Sequence, residues 1–129
     1  MALLPVTAGR AGPLSFEVLD LQVTEHGPDA RVITVGGEVD TLTAQELAVL
    51  LIAQLAAAPL VVLDLNGVQF MGSAGLSVLI KANDLATREG RHLRLVCHSG
   101  ITNRALEVTG LRERFSFADS ASAALQSSP

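Results

Sequence analysis

Few side chains in this sequence offer chemistry by themselves, and the best placed to receive it is a serine. Ser73 stands in Gly72-Ser73-Ala74-Gly75, just before Leu76, Leu79, Ile80 and Asn83. These fall at i, i+3, i+4 and i+7 and, Asn83 apart, form an apolar helical stripe. A serine opening a helix is a preferred N-cap, its oxygen accepting from an otherwise unpaired N–H of the first turn. It is also an exposed hydroxyl at a positive helix end, where a phosphate is well received. The two readings are compatible. As a nucleophile it lacks its setting, because a G-x-S-x-G elbow needs glycine at position 71, where Met71 stands.

The other reactive groups do not assemble into a constellation. Asp40 and Asp64 each follow a strand beside a turn, which makes them local acceptors of backbone N–H rather than a catalytic carboxylate pair. No Walker motif with its Lys-Ser/Thr pair occurs, and no G-x-G-x-x-G follows a strand. His26, His92 and His98 lack ligand spacing, and only His98 adjoins Cys97, so neither a metal nor another cofactor is expected. The single cysteine excludes an internal disulfide and suits a reducing compartment. Cys97, at a strand end, reads as a buried structural thiol. Self-contained catalysis is not expected.

At 129 residues the chain has the length of one domain. Its formal charge of −4 and lack of a Lys/Arg cluster argue against binding a phosphate backbone. With four Phe and no Trp or Tyr it also lacks stacking platforms for single-stranded nucleic acid. The N-terminus has no basic region followed by a sustained apolar stretch, so a signal peptide is not expected. The apolar stretch from Leu47 to Leu63 is interrupted by Gln54 and Pro59, short of a membrane span. A soluble cytoplasmic protein is expected, with neither nucleic acid nor membrane as partner.

The elements that must position Ser73 follow from periodicity. Residues 1–13 read as a flexible arm and 14–129 as the domain. Leu14 to Val23 alternates as an edge strand, His26 to Asp29 turns, and Ala30 to Val35 returns antiparallel. Thr43 with Glu46 matches a capping box, opening a helix through Leu47, Leu50, Leu51 and Leu55 that ends before Pro59. Leu60 to Asp64 is a strand buried on both faces. Asn66-Gly67 reads as a turn, and Val68 to Met71 as a connection to the Ser73 helix. That helix carries an Asp84–Arg88 pair and ends at Glu89-Gly90. A strand at His92–Val96, a short helix with Thr102 able to cap it and Gly110 closing it, a strand at Phe115–Phe117 and a helix from Asp119 or Ser120 complete the chain. The result is an α/β domain whose mixed sheet is parallel across its later strands and has one antiparallel edge.

From Phe16 to Leu125 the pattern resembles the STAS domain, and within it the small free-standing bacterial anti-sigma factor antagonists. The resemblance rests on four motifs in one order. They are Gly37-Glu38-Val39-Asp40, Val62-Leu63-Asp64-Leu65-Asn66-Gly67-Val68, Phe70-Met71-Gly72-Ser73-Ala74-Gly75-Leu76 and Leu106-Glu107-Val108-Thr109-Gly110-Leu111. The resemblance implies a STAS-like mixed sheet of about five strands with about four helices. It implies a chain that binds an anti-sigma factor, a serine kinase holding the ATP, and thereby frees a sigma factor. The kinase would phosphorylate Ser73, and a serine phosphatase would reverse the mark. The implied partner surface comprises Asp40, Thr41, Met71, Gly72, Ser73, Ala74, Gly75 and Leu76, with Asp64, Asn66 and Gly67 shaping the loop beneath it. Many members have an acidic residue just before the serine, where this chain has Gly72. The alternative is a non-phosphorylated STAS scaffold or ligand-sensing interaction module.

Overall fold

The computed structural model describes residues 19–126. The expected arm over residues 1–13, and residues 14–18 of the first expected strand, lie outside them. Strand β1 (Leu19–His26) pairs antiparallel with β2 (Ala30–Val39) through a turn at Gly27. Helix α1 (Ala44–Ala57) then leads to β3 (Leu60–Met71), α2 (Ser73–Arg88) and β4 (His92–Val96). Helix α3 (Gly100–Val108), a 3-10 turn at Arg112–Arg114, β5 (Ser116–Phe117) and α4 (Ala121–Gln126) follow. The five strands lie in the order β1-β2-β3-β4-β5, parallel from β2 onward. Five strands and four helices among the described residues match the expected mixed α/β fold.

Each apolar period has a destination. Val61, Leu63 and Leu65 of β3 join Ile33, Val35, Leu93 and Leu95 under α1, α2 and α3, which contribute Leu47, Leu51, Leu55, Leu79, Ala82 and Leu106. The alternate residues Leu60 and Val62 pack with Ala30, Val32 and Val96 on the other face, where Ala124 of α4 covers them. Cover on both faces explains why β3 opens as an unbroken apolar run.

The expected turn at Asn66-Gly67 does not form. β3 continues to Met71, with Gly67 opposite Gly36, Val68 opposite Gly37 and Met71 opposite Val39, across two register shifts at each of which β3 carries an extra residue. A Cβ on Gly67 would come within 3.1 Å of Val35 O and 3.2 Å of Gly36 Cα. Glycine therefore serves close approach between two irregular strands here, not a change of direction.

Three helix starts also differ from expectation. Thr43 precedes α1 without a capping hydrogen bond from its side chain, so the capping box with Glu46 is not made. Gly72, not Ser73, is the N-cap of α2, and Ser73 is its first helical residue. Ser99 rather than Thr102 caps α3, its Oγ accepting from Thr102 N at 3.4 Å, while Thr102 is itself fully buried. Ser120 does begin α4, accepting from Ala123 N at 3.0 Å. Asp84 is paired not with Arg88 but with Arg114, at 3.5 Å, because the 3-10 turn brings that guanidinium across from outside the helix. With both side chains about half exposed, the pair contributes little.

Candidate functional site

The end of β3 and the end of β2 are tied together, and this juxtaposition builds the Ser73 surface. Val39 lies opposite Met71, and Gly72 N–H donates to Val39 O at 2.9 Å. Gly72 O then accepts from Leu76 N at 3.1 Å, closing the first turn of α2. Ser73 is thus fixed at the rim of the sheet, exposed, with the first-turn N–H groups of a 16-residue helix behind it. The cap position is taken by Gly72, so the Ser73 hydroxyl stands at the first helical residue and not at the cap. A helix start with an exposed hydroxyl and a positive end suits an added phosphate.

The loop after β2 is held by a compact knot. Asp40 Oδ1 accepts from Leu42 N at 2.9 Å and Thr43 N at 3.0 Å. Thr43 Oγ1 accepts from Asp40 N at 2.9 Å and donates to Glu38 O at 2.7 Å. Asp40 therefore acts as a local backbone acceptor, which its position beside a turn led us to expect. The knot buries Thr43 and leaves Thr41 and Leu42 outward, Leu42 at 81% exposure.

The residues expected at the partner surface divide by burial. Thr41 and Ser73 are exposed, while Asp40, Gly72 and Ala74 are half-buried. Met71, Gly75 and Leu76 are buried and pack beneath the surface. Gly75 has a specific reason to lack a side chain, since a Cβ there would collide with Met71 Sδ and stand 2.7 Å from Val39 Cγ1. Two apolar side chains that sequence reasoning left out of the surface, Leu42 and Phe70, are exposed beside it, Phe70 at 48%. Phe70 also borders the serine's neighbour: a Cβ on Gly72 would meet its ring at 3.1 Å. No local signal gave Phe70: alternation from buried Val68 turns it inward, and the extra residue that β3 carries between Val68 and Phe70 turns it out.

Asp64, Asn66 and Gly67 lie away from Ser73, in the part of β3 that carries it. Asp64 Oδ1 accepts from Asn66 N at 2.9 Å. Asn66 Oδ1 accepts in turn from His98 N at 2.6 Å, and Ser99 Oγ donates to Val68 O at 3.3 Å. These bonds anchor the second half of β3 to the loop after β4. Cys97 in that loop is buried, and desolvation pushes its thiol pKa above the ordinary 9.0 despite the Ser99 backbone contact and nearby Arg112. A thiol so held is protonated near neutrality and unreactive. No group of three or more His, Cys, Asp or Glu able to hold a metal occurs among the described residues. No helix among them is long and apolar enough to cross a membrane.

Residues 21–124 match the family model of the STAS domain. The chain is 30% identical over 100 residues to the anti-sigma-F factor antagonist RsfB of Mycobacterium tuberculosis, covering 75% of this chain and 79% of that protein. It superposes on the crystal structure of an anti-sigma factor antagonist from Mycobacterium paratuberculosis with a TM-score of 0.74 at 30% identity, over 84% of this chain and 92% of the other. The unphosphorylated form of the anti-sigma factor antagonist SpoIIAA aligns with a TM-score of 0.68 at 16% identity, over 81% and 92% of the two chains, a likeness of fold.

Proposed function

This chain belongs to the STAS domain family, and from that premise we propose that it is an anti-sigma factor antagonist switched by phosphorylation of Ser73. It binds an anti-sigma factor of the serine kinase type, in which the ATP is held by the partner, and so releases a sigma factor. It has no catalysis of its own. The observation that carries the reading is the placement of Ser73, exposed at the start of α2 with exposed Leu42 and Phe70 on the same rim.

The mechanism is one of charge against fit. In the unmodified chain the partner covers Thr41, Leu42, Phe70 and Ser73, with the half-buried Gly72 and Ala74 allowing close approach. Exposed apolar side chains at the centre of such a contact supply most of its energy. A phosphate on Ser73 adds about −1.5 to −2 charges at that centre. An unpaired charge held against a complementary surface costs several kcal/mol, and each ~1.4 kcal/mol is tenfold in affinity. The helix end stabilises the phosphate in the free chain, so the mark persists until a serine phosphatase removes it. No refolding of the domain is needed.

The test is a pull-down of the unmodified protein from cell extract with ATP or ADP present, followed by mass spectrometry of captured proteins and of Ser73. Capture of an anti-sigma factor kinase, with phosphate appearing on Ser73 when ATP is supplied, is the expected result. A co-purifying small molecule, or capture of other STAS proteins with Ser73 unmodified, would replace the switch by the scaffold reading.

A further inference from the structure

Phe70 faces outward because β3 is irregular. Among the described residues it is the one exposed aromatic: Phe115 is buried, and Phe117 lies under the Arg112 guanidinium at 4.2 Å. Simple alternation from buried Val68 would turn Phe70 into the core and Met71 out of it. The pairing with β2 passes from Gly37–Val68 to Glu38–Phe70, so Gln69 is an extra residue, and it inverts both side chains. Met71 goes in, and Phe70 comes out with 48% of its surface in water. Bulges of this kind re-aim side chains beside functional sites.

The ring is also held in place. Its edge lies on Gly72, where a Cβ would stand 3.1 Å from Phe70 Cε2 and 3.4 Å from Cζ. The backbone at position 72 gives no reason for glycine, since φ −86° and ψ 178° are open to any residue. Nor does its place at the cap of α2, where serine, aspartate and asparagine serve at least as well and add a hydrogen bond. What the missing side chain leaves is room for the ring. We propose that Phe70 is the anchor of the rim, the aromatic side chain that enters an apolar pocket of the anti-sigma factor, and that Gly72 is the residue that positions it. This rests on the reading that the Ser73 rim binds that partner. Aromatic side chains are enriched at the centres of interfaces, and a few such anchors carry most of the binding energy. A ring already lying in its bound orientation loses less freedom on binding. Gly72 adjoins Ser73, so seating the ring presses the serine against a surface cleared of water, where an added phosphate is costliest.

Calorimetric titration with the anti-sigma factor that the unmodified wild type captures from cell extract tests this as a two-residue cycle, with ADP present so that Ser73 stays unmodified. Phe70→Ala, at an exposed position, should weaken binding at least about tenfold and leave the far-UV circular dichroism unchanged. Gly72→Ser keeps a residue that caps a helix and pushes the ring aside. It should weaken binding about threefold or more with Phe70 present, and by clearly less in the Phe70→Ala background, while resistance to denaturant stays at or above that of wild type. Phe70→Ala binding like wild type overturns the anchor and shows that Phe70 is out only because Met71 is in. Equal losses from Gly72→Ser in the two backgrounds overturn the positioning role, for the glycine then serves the partner's approach and not the ring. Both outcomes leave the Ser73 reading standing, because phosphate on Ser73 and its effect on affinity are measured on the wild type. That reading fails separately, and this proposal with it, if the wild type captures no anti-sigma factor.

Discussion

Asp40 and Thr43 grip each other reciprocally: Asp40 Oδ1 accepts the Thr43 N–H at 3.0 Å, and Thr43 Oγ1 accepts the Asp40 N–H at 2.9 Å. The sequence pairs Thr43 with Glu46, ahead of it in a capping box; the structure pairs it with Asp40, behind it. Both arrangements satisfy orphan donors at a helix start. The one adopted also connects the helix to the strand before it, because the hydroxyl reaches Glu38 O. Thr43→Val keeps the shape and removes the hydroxyl, and with it the partner of two half-buried backbone groups, Glu38 O and Asp40 N–H. It should cost about 1 to 3 kcal/mol in chemical denaturation, and binding of the anti-sigma factor should weaken because Thr41 and Leu42 lose their fixed loop.

Gly75 and Ser73 make a contrasting pair on the same turn of α2. Gly75→Ala drives a methyl group into Met71 and Val39, and overpacking of this kind costs about 1 to 3 kcal/mol. Ser73→Ala removes an exposed hydroxyl at the first helical residue, the cap being Gly72, so its melting curve should match wild type within about 0.5 kcal/mol. A large loss for Ser73→Ala would show that the hydroxyl supports the helix after all.

The anchoring of β3 gives a third expectation. Asn66→Ala removes the acceptor of the His98 N–H and should lower stability by about 1 kcal/mol. Faster amide exchange should appear at His98 and along residues 66–71 while Leu60 to Leu65 stay protected. Uniform exchange over the whole strand would contradict the anchor.

Cys97 supplies a pH test. Burial raises its pKa in the folded chain, so the native state holds its proton more tightly than the unfolded state. Any stability this contributes is present below the ordinary value of 9.0 and declines as pH rises through the folded pKa. A thiol reagent at pH 8 should label the native protein slowly and the denatured protein fast; equal rates would deny the burial.

Much of the architecture was legible because the apolar periods are clean. The run from Leu60 to Leu63, the helical stripe of α2, and Gly110 closing α3 each have one reading. What was not legible depends on neighbours distant in sequence. Asn66-Gly67 has the composition of a turn, but Gly67 is glycine because Gly36 passes beside it, and nothing local records that approach. Reading a turn there cut β3 short. The split of the Ser73 segment into exposed Ser73 and buried Met71, Gly75 and Leu76 likewise depends on how α2 settles against Val39. Asp84 found Arg114 instead of Arg88 for the same reason: the better-placed cation comes from another element.

The central claim is that phosphate on Ser73 weakens the complex. Its most direct test is calorimetric titration of the cognate anti-sigma factor with unmodified protein and with protein phosphorylated by that kinase, the modified residue being mapped by mass spectrometry. The account predicts phosphate on Ser73 and an affinity reduced at least about tenfold, roughly 1.4 kcal/mol or more, with Ser73→Ala binding like the unmodified chain. Phosphate on another residue, or equal affinity with Ser73 fully modified, would contradict it.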